Sequence, residues 1–303
     1  MERLEMGHDY FHKDSLVAQV VADPRFEGFG RFLFPLRMDH VNPDMTVSEI
    51  APLLPYHRNI DAGTTVATLN RLLDDRAKGE KVFHGIYGEG QKLNDPRKND
   101  TGLFFLKGKP GKPFAIISAG GGFAYVGSIH ESLPLAIELS KIGYNAFALH
   151  YRTGGSQAAS EDLAAAIDFV FRNANELQVS VSDYSLWGGS AGARMAANLG
   201  SYTTKAYDLE ERPRPAAVIM QYTGHANYTD KDPPTYACVG ENDGIASKAS
   251  MERRIKALRD MGIDAEFHVF QNLGHGFGLG KGTSAQGWHH DAVAFWERHM
   301  SGR

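Results

Sequence analysis

The stretch Asp183–Ala196, "DYSLWGGSAGARMA", sets a serine among three glycines, directly after a hydrophobic run and directly before a helix-forming one. A buried serine costs free energy unless its hydroxyl finds a partner, and glycine costs backbone entropy wherever it is not sterically required. Gly188-Gly189-Ser190-Ala191-Gly192 fits the G-x-S-x-G pattern, in which serine occupies a sharp, strained turn between a strand and a helix. The glycines keep side chains away where such a turn crowds the neighbouring backbone. The hydroxyl is then expected at the carboxyl end of a sheet, facing the positive end of the following helix, "AGARMAANLG".

The surrounding chain supports that placement. From about Pro113 onward, "PFAIISAG", "YNAFALHY", "YSLWGG", "AAVIMQY", "TYACVG" and "AEFHVF" have strand length, and several are apolar throughout, as strands covered on both faces are. Between them "SLPLAIELSKIG", "ASEDLAAAIDFVFRNANEL", "ARMAANLG" and "KASMERRIKALRDMG" show helical spacing, and three of these finish at a glycine suited to a C-terminal cap. The alternation predicts an α/β fold, a mostly parallel sheet with helices on both faces, over 101–303. Residues 1–100 read as a mixed extension with one good helix, "TTVATLNRLLDDRAKG", and a surface loop, "LNDPRKNDTG".

A serine hydroxyl is a weak nucleophile and needs an adjacent base that is itself oriented by a carboxylate. The expected chain order is serine, acid, histidine. "ENDGIAS" places Asp243 in the loop after "TYACVG", and "LGHGFG" places His275 just past the last strand. Glu241, two residues before Asp243, stays open as the acid, whereas Asp264 lies at the wrong end of its strand. His289, His290 and His299 fall on or near the terminal helix. Acyl transfer also needs donors aimed at the tetrahedral oxyanion. "SAGGGFAYVG" puts Gly120, Gly121 and Gly122 in the loop after the first strong strand, and the amides of Gly121, Gly122 and Ala191 are the expected donors. Tyr125, His130, Tyr222, His225 and Trp288 flank these loops and are candidate substrate contacts, each with plain packing as the alternative.

Composition excludes other classes. The net charge of -4 gives no electrostatic case for a nucleic acid or an anionic membrane, and no window approaches a membrane span. The single cysteine, Cys238, sits in an apolar run, which rules out an internal disulfide and predicts a buried, inert thiol. The N-terminal residues show scattered charges and no apolar leader, so a cytoplasmic location is expected. Thirteen histidines invite a metal reading, but no ligand spacing of the H-E-x-x-H kind occurs, so no metal is expected. "GHGFGLGKGTS" imitates a phosphate loop, yet His275 stands where the first glycine of that motif belongs and Gly282 follows Lys281.

The set "AGGGF", "GGSAG", "ENDG" and "GHGFG", in this order, resembles the α/β-hydrolase fold. It is closest to the hormone-sensitive-lipase-like and acetyl-xylan-esterase-like carboxylesterases, over about 105–303. The resemblance implies a cofactor-free serine esterase acting on small esters with short acyl groups, some of them on carbohydrates. One departure stands out: the family loop usually reads His-Gly-Gly-Gly, and here Ala119 replaces the histidine, which is generally thought to brace the loop. An aminopeptidase or other serine peptidase on the same fold, and a non-catalytic binding protein, are the competing readings. The loop "TGHANYTDKDPP" is too short to hold a helical cap. The aromatic segments "GFGRFLFP" and "LLPYHRN" therefore predict that part of residues 1–80 packs over the carboxyl edge of the sheet, from the same subunit or from a partner in a homo-oligomer; padding of the sheet edge is the alternative.

Overall fold

The computed structural model describes residues 10–35 and 42–301; the first nine residues, on which part of the leader reading rests, lie outside them. Eight strands form one sheet: β1 Phe83–His84, β2 Gly102–Leu106, β3 Pro113–Ser118, β4 Asn145–His150, β5 Ser180–Gly189, β6 Ala217–Gln221, β7 Thr235–Gly240 and β8 Ala265–Phe270. Their order is β1-β2-β4-β3-β5-β6-β7-β8, with the β1–β2 and β2–β4 pairings antiparallel and the rest parallel, so that β2 alone runs against the others. Every residue of β2, β6 and β7 is buried, which explains why these strands read as continuous apolar runs. The helices are α1 Val17–Val21, α2 Ala62–Ala77, α3 Glu89–Asn94, α4 Ser132–Lys141, α5 Ser156–Arg172, α6 Ala174–Leu177, α7 Ala191–Tyr202, α8 Lys248–Asp260 and α9 Trp288–Arg298.

Chain direction reverses beside β3. The path β3-α4-β4 moves one way across the sheet, and β4-α5-β5 crosses back over β3 and continues outward. Right-handed crossovers therefore place α4 on one face and α5, α7 and α8 on the other. At such a switch point the loops leaving two neighbouring strands diverge and open a crevice at their carboxyl ends. Here those strands are β3 and β5, paired in parallel with Ser118 opposite Gly188, so the loop after Ser118 and the turn after Gly189 are neighbours.

Two expectations are corrected. The sheet does not begin at Pro113, and a boundary near residue 100 cuts through it, because β1 lies inside the N-terminal hundred residues and pairs Phe83 with Phe104. A two-residue strand has no periodicity to detect, and β2 is ordered by its antiparallel pairing with β4, far along the chain. Gly200, expected as a helix cap, is internal to α7, which runs to Tyr202 and ends at Thr203 with φ +59°. That glycine serves packing: a Cβ there would lie 2.8 Å from Val218 Cγ2. Gly143 and Gly262 do follow their helices in left-handed conformation, at φ +102° and +79°.

The core carries several neutral imidazoles. Burial depresses His84 and His289 to about 4 and His150 to about 3. Burial likewise lowers His130 and His225 to about 4. An unfolded histidine titrates at about 6.5, so between that pH and about 4 the unfolded chain binds more protons than the folded one. Their contribution is complete above about pH 6.5 and is lost as pH falls toward 4. A tenfold change in proton affinity is worth about 1.4 kcal/mol, so the melting temperature is expected to drop by about 10–20 °C between pH 7.5 and 4.5. Differential scanning fluorimetry across that range checks this; a flat profile would mean that these rings are not held neutral.

Candidate active site

β5 ends at Gly189 and α7 begins at Ala191, so a single residue, Ser190, makes the turn. It does so at φ +51°, ψ −111°, a strained conformation for any side chain. The glycines around it are sterically required. A Cβ on Gly192 would lie 1.9 Å from the Ser118 carbonyl oxygen, and one on Gly188 would lie 2.2 Å from the carbonyl carbon of Gly192. The close approach of α7 to β3 and β5 is thus possible only without side chains at these two positions.

Three groups meet at the carboxyl end of the sheet. His275 Nε2 lies 3.0 Å from Ser190 Oγ, and His275 Nδ1 lies 2.7 Å from Asp243 Oδ2. Asp243 Oδ1 accepts the N–H groups of Ile245 and Ala246 at 2.8 and 2.7 Å, which fixes the buried carboxylate in place. A proton held on Nδ1 by Asp243 leaves the Nε2 lone pair directed at the serine hydroxyl, the tautomer a general base needs. Glu241 points elsewhere, toward the N–H of Asn272 at 3.2 Å. Asp264 pairs with His299 at 3.0 Å on the surface, and His289 is buried in α9.

The loop after β3 faces this group. The Gly120 N–H is committed to Glu131 Oε2. Gly121 and Gly122 adopt φ +135° and +62°, and their N–H groups meet no protein acceptor among the described residues. Ala191 opens α7, where the first-turn amides have no helical partner. A cavity of about 460 Å³ is lined by Gly122, Phe123, Ser190 and Ala191 on one side and by Arg194 and residues 223–227 on the other.

Solved structures with this architecture are α/β-hydrolases. The acetyl ester-xyloside bifunctional hydrolase from Caldicellulosiruptor lactoaceticus superposes with a TM-score of 0.59 at 21% identity, covering 70% of this chain and 96% of that one. The carboxylesterase from Lactobacillus plantarum gives 0.58 at 20% identity, covering 67% and 94%. A thermophilic esterase from Thermogutta terrifontis with bound propionate gives 0.58 at 18% identity, covering 67% and 92%. The chain has the α/β-hydrolase fold. The BD-FAE family model matches residues 106–222 of this chain, and the prolyl oligopeptidase family model matches residues 196–303. Among curated proteins, endo-1,4-beta-xylanase B of Butyrivibrio fibrisolvens is 24% identical over 214 residues, which are 57% of this chain and 34% of that protein. The chain thus spans about a third of that relative's length.

Of the five candidate substrate contacts, His225 alone lines the cavity. Trp288 is in the core, its ring against Trp187 and its Nε1 donating to the Gly278 carbonyl at 3.0 Å, because the first turn of α9 rotates it inward. Tyr222 is wholly buried behind His275 and donates its hydroxyl to Glu131 Oε1 at 2.6 Å. His130 is buried with Nε2 3.0 Å from the Gly276 carbonyl. Tyr125 places its hydroxyl 2.8 Å from His57 Nδ1 and accepts the Tyr56 N–H at 3.0 Å. Sequence position beside a motif loop did not translate into a side chain facing the cavity. Arg194, Thr223 and Asn227 do face it and belong to no motif; Arg194 carried a signal, being one helical turn after Ser190 and so on its face of α7.

The N-terminal extension divides its tasks. Phe29 and Phe32 stack on Phe83, Phe29 also meets Phe104 edge-on, and Phe26 packs against Phe29, so this group pads the β1–β2 edge. Tyr56–Arg58 instead crosses the carboxyl end, where the Arg58 N–H bonds the Gly276 carbonyl at 3.0 Å and the Tyr56 ring stacks on Tyr125. Residues 222–234 contain no helix, in keeping with a loop too short for a cap. Among the described residues no helix is long and apolar enough to cross a membrane, and no group of three acidic, histidine or cysteine side chains is arranged to hold a metal. Cys238 is buried, and burial pushes its thiol well above the ordinary range.

Proposed function

We propose that this protein is a serine carboxylesterase that hydrolyses small, polar, short-chain esters through an acyl-enzyme. The observation that carries this reading is the continuous contact from Asp243 through His275 to Ser190, beside a loop with unclaimed amides. His275 Nε2 takes the Ser190 proton as Oγ adds to the ester carbonyl, and the amides of Gly121, Gly122 and Ala191 stabilise the oxyanion. Collapse of the tetrahedral adduct breaks the bond to the alcohol, which leaves with the proton from His275. Water then adds to the acyl-enzyme with His275 as base, and the acid is released with Ser190 restored.

The cavity supports a polar substrate. Apart from Phe123 its lining consists of small residues, backbone and the polar side chains of Ser190, Arg194, Thr223, His225 and Asn227. Burial keeps the His225 ring neutral, which leaves the Arg194 guanidinium as the charged side chain of the lining. Such a lining suits an acetyl group on a hydroxylated alcohol, the class suggested by the acetyl ester-xyloside hydrolase and the xylanase among its relatives. Acetyl and propionyl p-nitrophenyl esters are expected to react at least about tenfold faster in kcat/KM than the octanoyl ester, because the added methylenes find no apolar wall. The prolyl oligopeptidase family match over 196–303 keeps a peptidase as the second reading. A fluorophosphonate probe that labels wild-type protein but not Ser190→Ala establishes the nucleophile. Acetyl-ester turnover without release from aminoacyl nitroanilides then favours the esterase, and the reverse result favours the peptidase. Absence of labelling leaves a binding protein.

A further inference from the structure

We propose that Glu131 is the positioning residue of the oxyanion loop, clamped from behind by His57 of the N-terminal extension, and that this pair replaces the loop histidine missing at Ala119. The proposal rests on the esterase reading above and adds to it a part of the machinery with no sequence motif. Glu131 immediately precedes α4, and its carboxylate is buried among groups that all belong to the loops around Ser190. Oε2 accepts the N–H of Gly120, the residue before the two unclaimed loop amides. Oε1 accepts the Tyr222 hydroxyl at 2.6 Å and lies 2.9 Å from His57 Nε2. Tyr222 in turn accepts the N–H of Gly278, three residues past His275. Thus one carboxylate ties the oxyanion loop to the strand end after β6 and to the loop that carries His275.

Four glycines are shaped to this arrangement. A Cβ on Gly189, next to the nucleophile, would lie 2.7 Å from Glu131 Oε2, and one on Gly120 would lie 3.2 Å from it. A Cβ on Gly127 would lie 2.7 Å from His57 Nε2, and one on Gly276 would lie 2.7 Å from the His57 Cα. Tyr222 reaches the carboxylate from a backbone with φ +33°, a strained value for a tyrosine. Burial alone pushes the Glu131 carboxyl up, but His57 and the donors from Gly120 and Tyr222 more than reverse this and hold it at about 2, so it stays anionic at any working pH. An anion with donors fixed on three sides cannot slide, and it sets the direction of the Gly120–Gly121 peptide. A buried carboxylate held by donors contributes little net stability by itself. Its cost is rational where it holds catalytic amides within a fraction of an ångström, since a misplacement of about 1 Å can cost about 10²-fold in rate.

The test is Glu131→Gln, which keeps the size of the side chain but turns one acceptor into a donor facing donors. On p-nitrophenyl acetate kcat is expected to fall about 10²-fold with KM within about threefold of wild type. Affinity for a trifluoromethyl ketone, whose adduct with Ser190 places an oxyanion on the loop amides, is expected to fall by the same factor as kcat/KM. A change in melting temperature with kcat and ketone affinity within threefold of wild type would overturn the proposal, because a residue that only supports the fold moves neither. If Glu131→Gln does not fold, Tyr222→Phe removes one donor and leaves the carboxylate; a smaller fall, about five- to tenfold, with the same parallel between kcat/KM and ketone affinity is expected, and unchanged values count against the proposal. Wild-type protein that turns over no ester and takes no phosphonate label sinks the esterase reading and the clamp with it. Active wild type with an unimpaired Glu131→Gln sinks the clamp alone.

Discussion

Ser190→Ala and His275→Ala are each expected to lower kcat for acetyl-ester hydrolysis by about 10⁵–10⁶, and the double variant is expected to be little worse than either. The non-additivity follows from the geometry. Ser190 Oγ is activated through its 3.0 Å contact with His275 Nε2, so loss of either partner removes the same proton transfer. Asp243→Asn is expected to cost less, about 10⁴, because the imidazole remains in place but loses the acceptor that selects its tautomer. Glu241→Gln is the matching control, since its carboxylate is bonded to the Asn272 N–H and not to the imidazole. Steady-state kinetics on these variants decides the assignment: near-normal turnover in Asp243→Asn together with a large loss in Glu241→Gln would transfer the role of the acid to Glu241.

Gly192→Ala is expected to damage both stability and activity, although it adds one methyl group. The new Cβ would lie 1.9 Å from the Ser118 carbonyl oxygen and 2.8 Å from that of Ala119, both backbone atoms of β3 and the start of the oxyanion loop. Neither can yield without moving α7 or the loop, so Ser190 and its oxyanion donors shift relative to each other. A loss of about 3 kcal/mol in stability, at the upper end of overpacking effects, and a fall of at least about 10² in kcat are expected. Gly90→Ala provides the contrast. Gly90 lies in α3 with nothing within 4 Å of its added Cβ, and alanine there is expected to stabilise by about 0.5–1 kcal/mol. Urea denaturation and kinetics on both variants measure the two effects. A Gly192→Ala protein that melts and turns over like wild type would mean that the elbow tolerates a side chain the geometry excludes.

Much of the fold was legible in one dimension, and the residues show why. A strand, a one-residue turn and a helix are contiguous in "YSLWGGSAGARMA", so their hydrophobic spacing and their glycines encode the nucleophile turn without reference to the rest of the chain. Asp243 and His275 could be placed because each lies in the loop that follows a strand, and the chain order of strands and loops is itself a statement about which end of the sheet they reach. Local chemistry of this kind needs no knowledge of distant partners.

What only the tertiary structure decided is where side chains point and what they meet. Trp288 and Tyr222 flank motif loops in sequence, but helix rotation turns the first into the core and backbone strain turns the second behind His275. Glu131 looks in sequence like an acidic residue at a helix start, where such residues are commonly solvated, and His57 belongs to an aromatic segment with no motif. Their meeting at 2.9 Å joins residues 74 positions apart and depends on α4 and the extension converging over the same end of the sheet. The sequence alone determined the strand-turn-helix grammar and the candidate triad, because those are set by residues adjacent along the chain. The brace behind the oxyanion loop, the two-residue strand β1 and the polar face of the cavity were decided by packing, because each is made by segments that are neighbours only once the chain has folded.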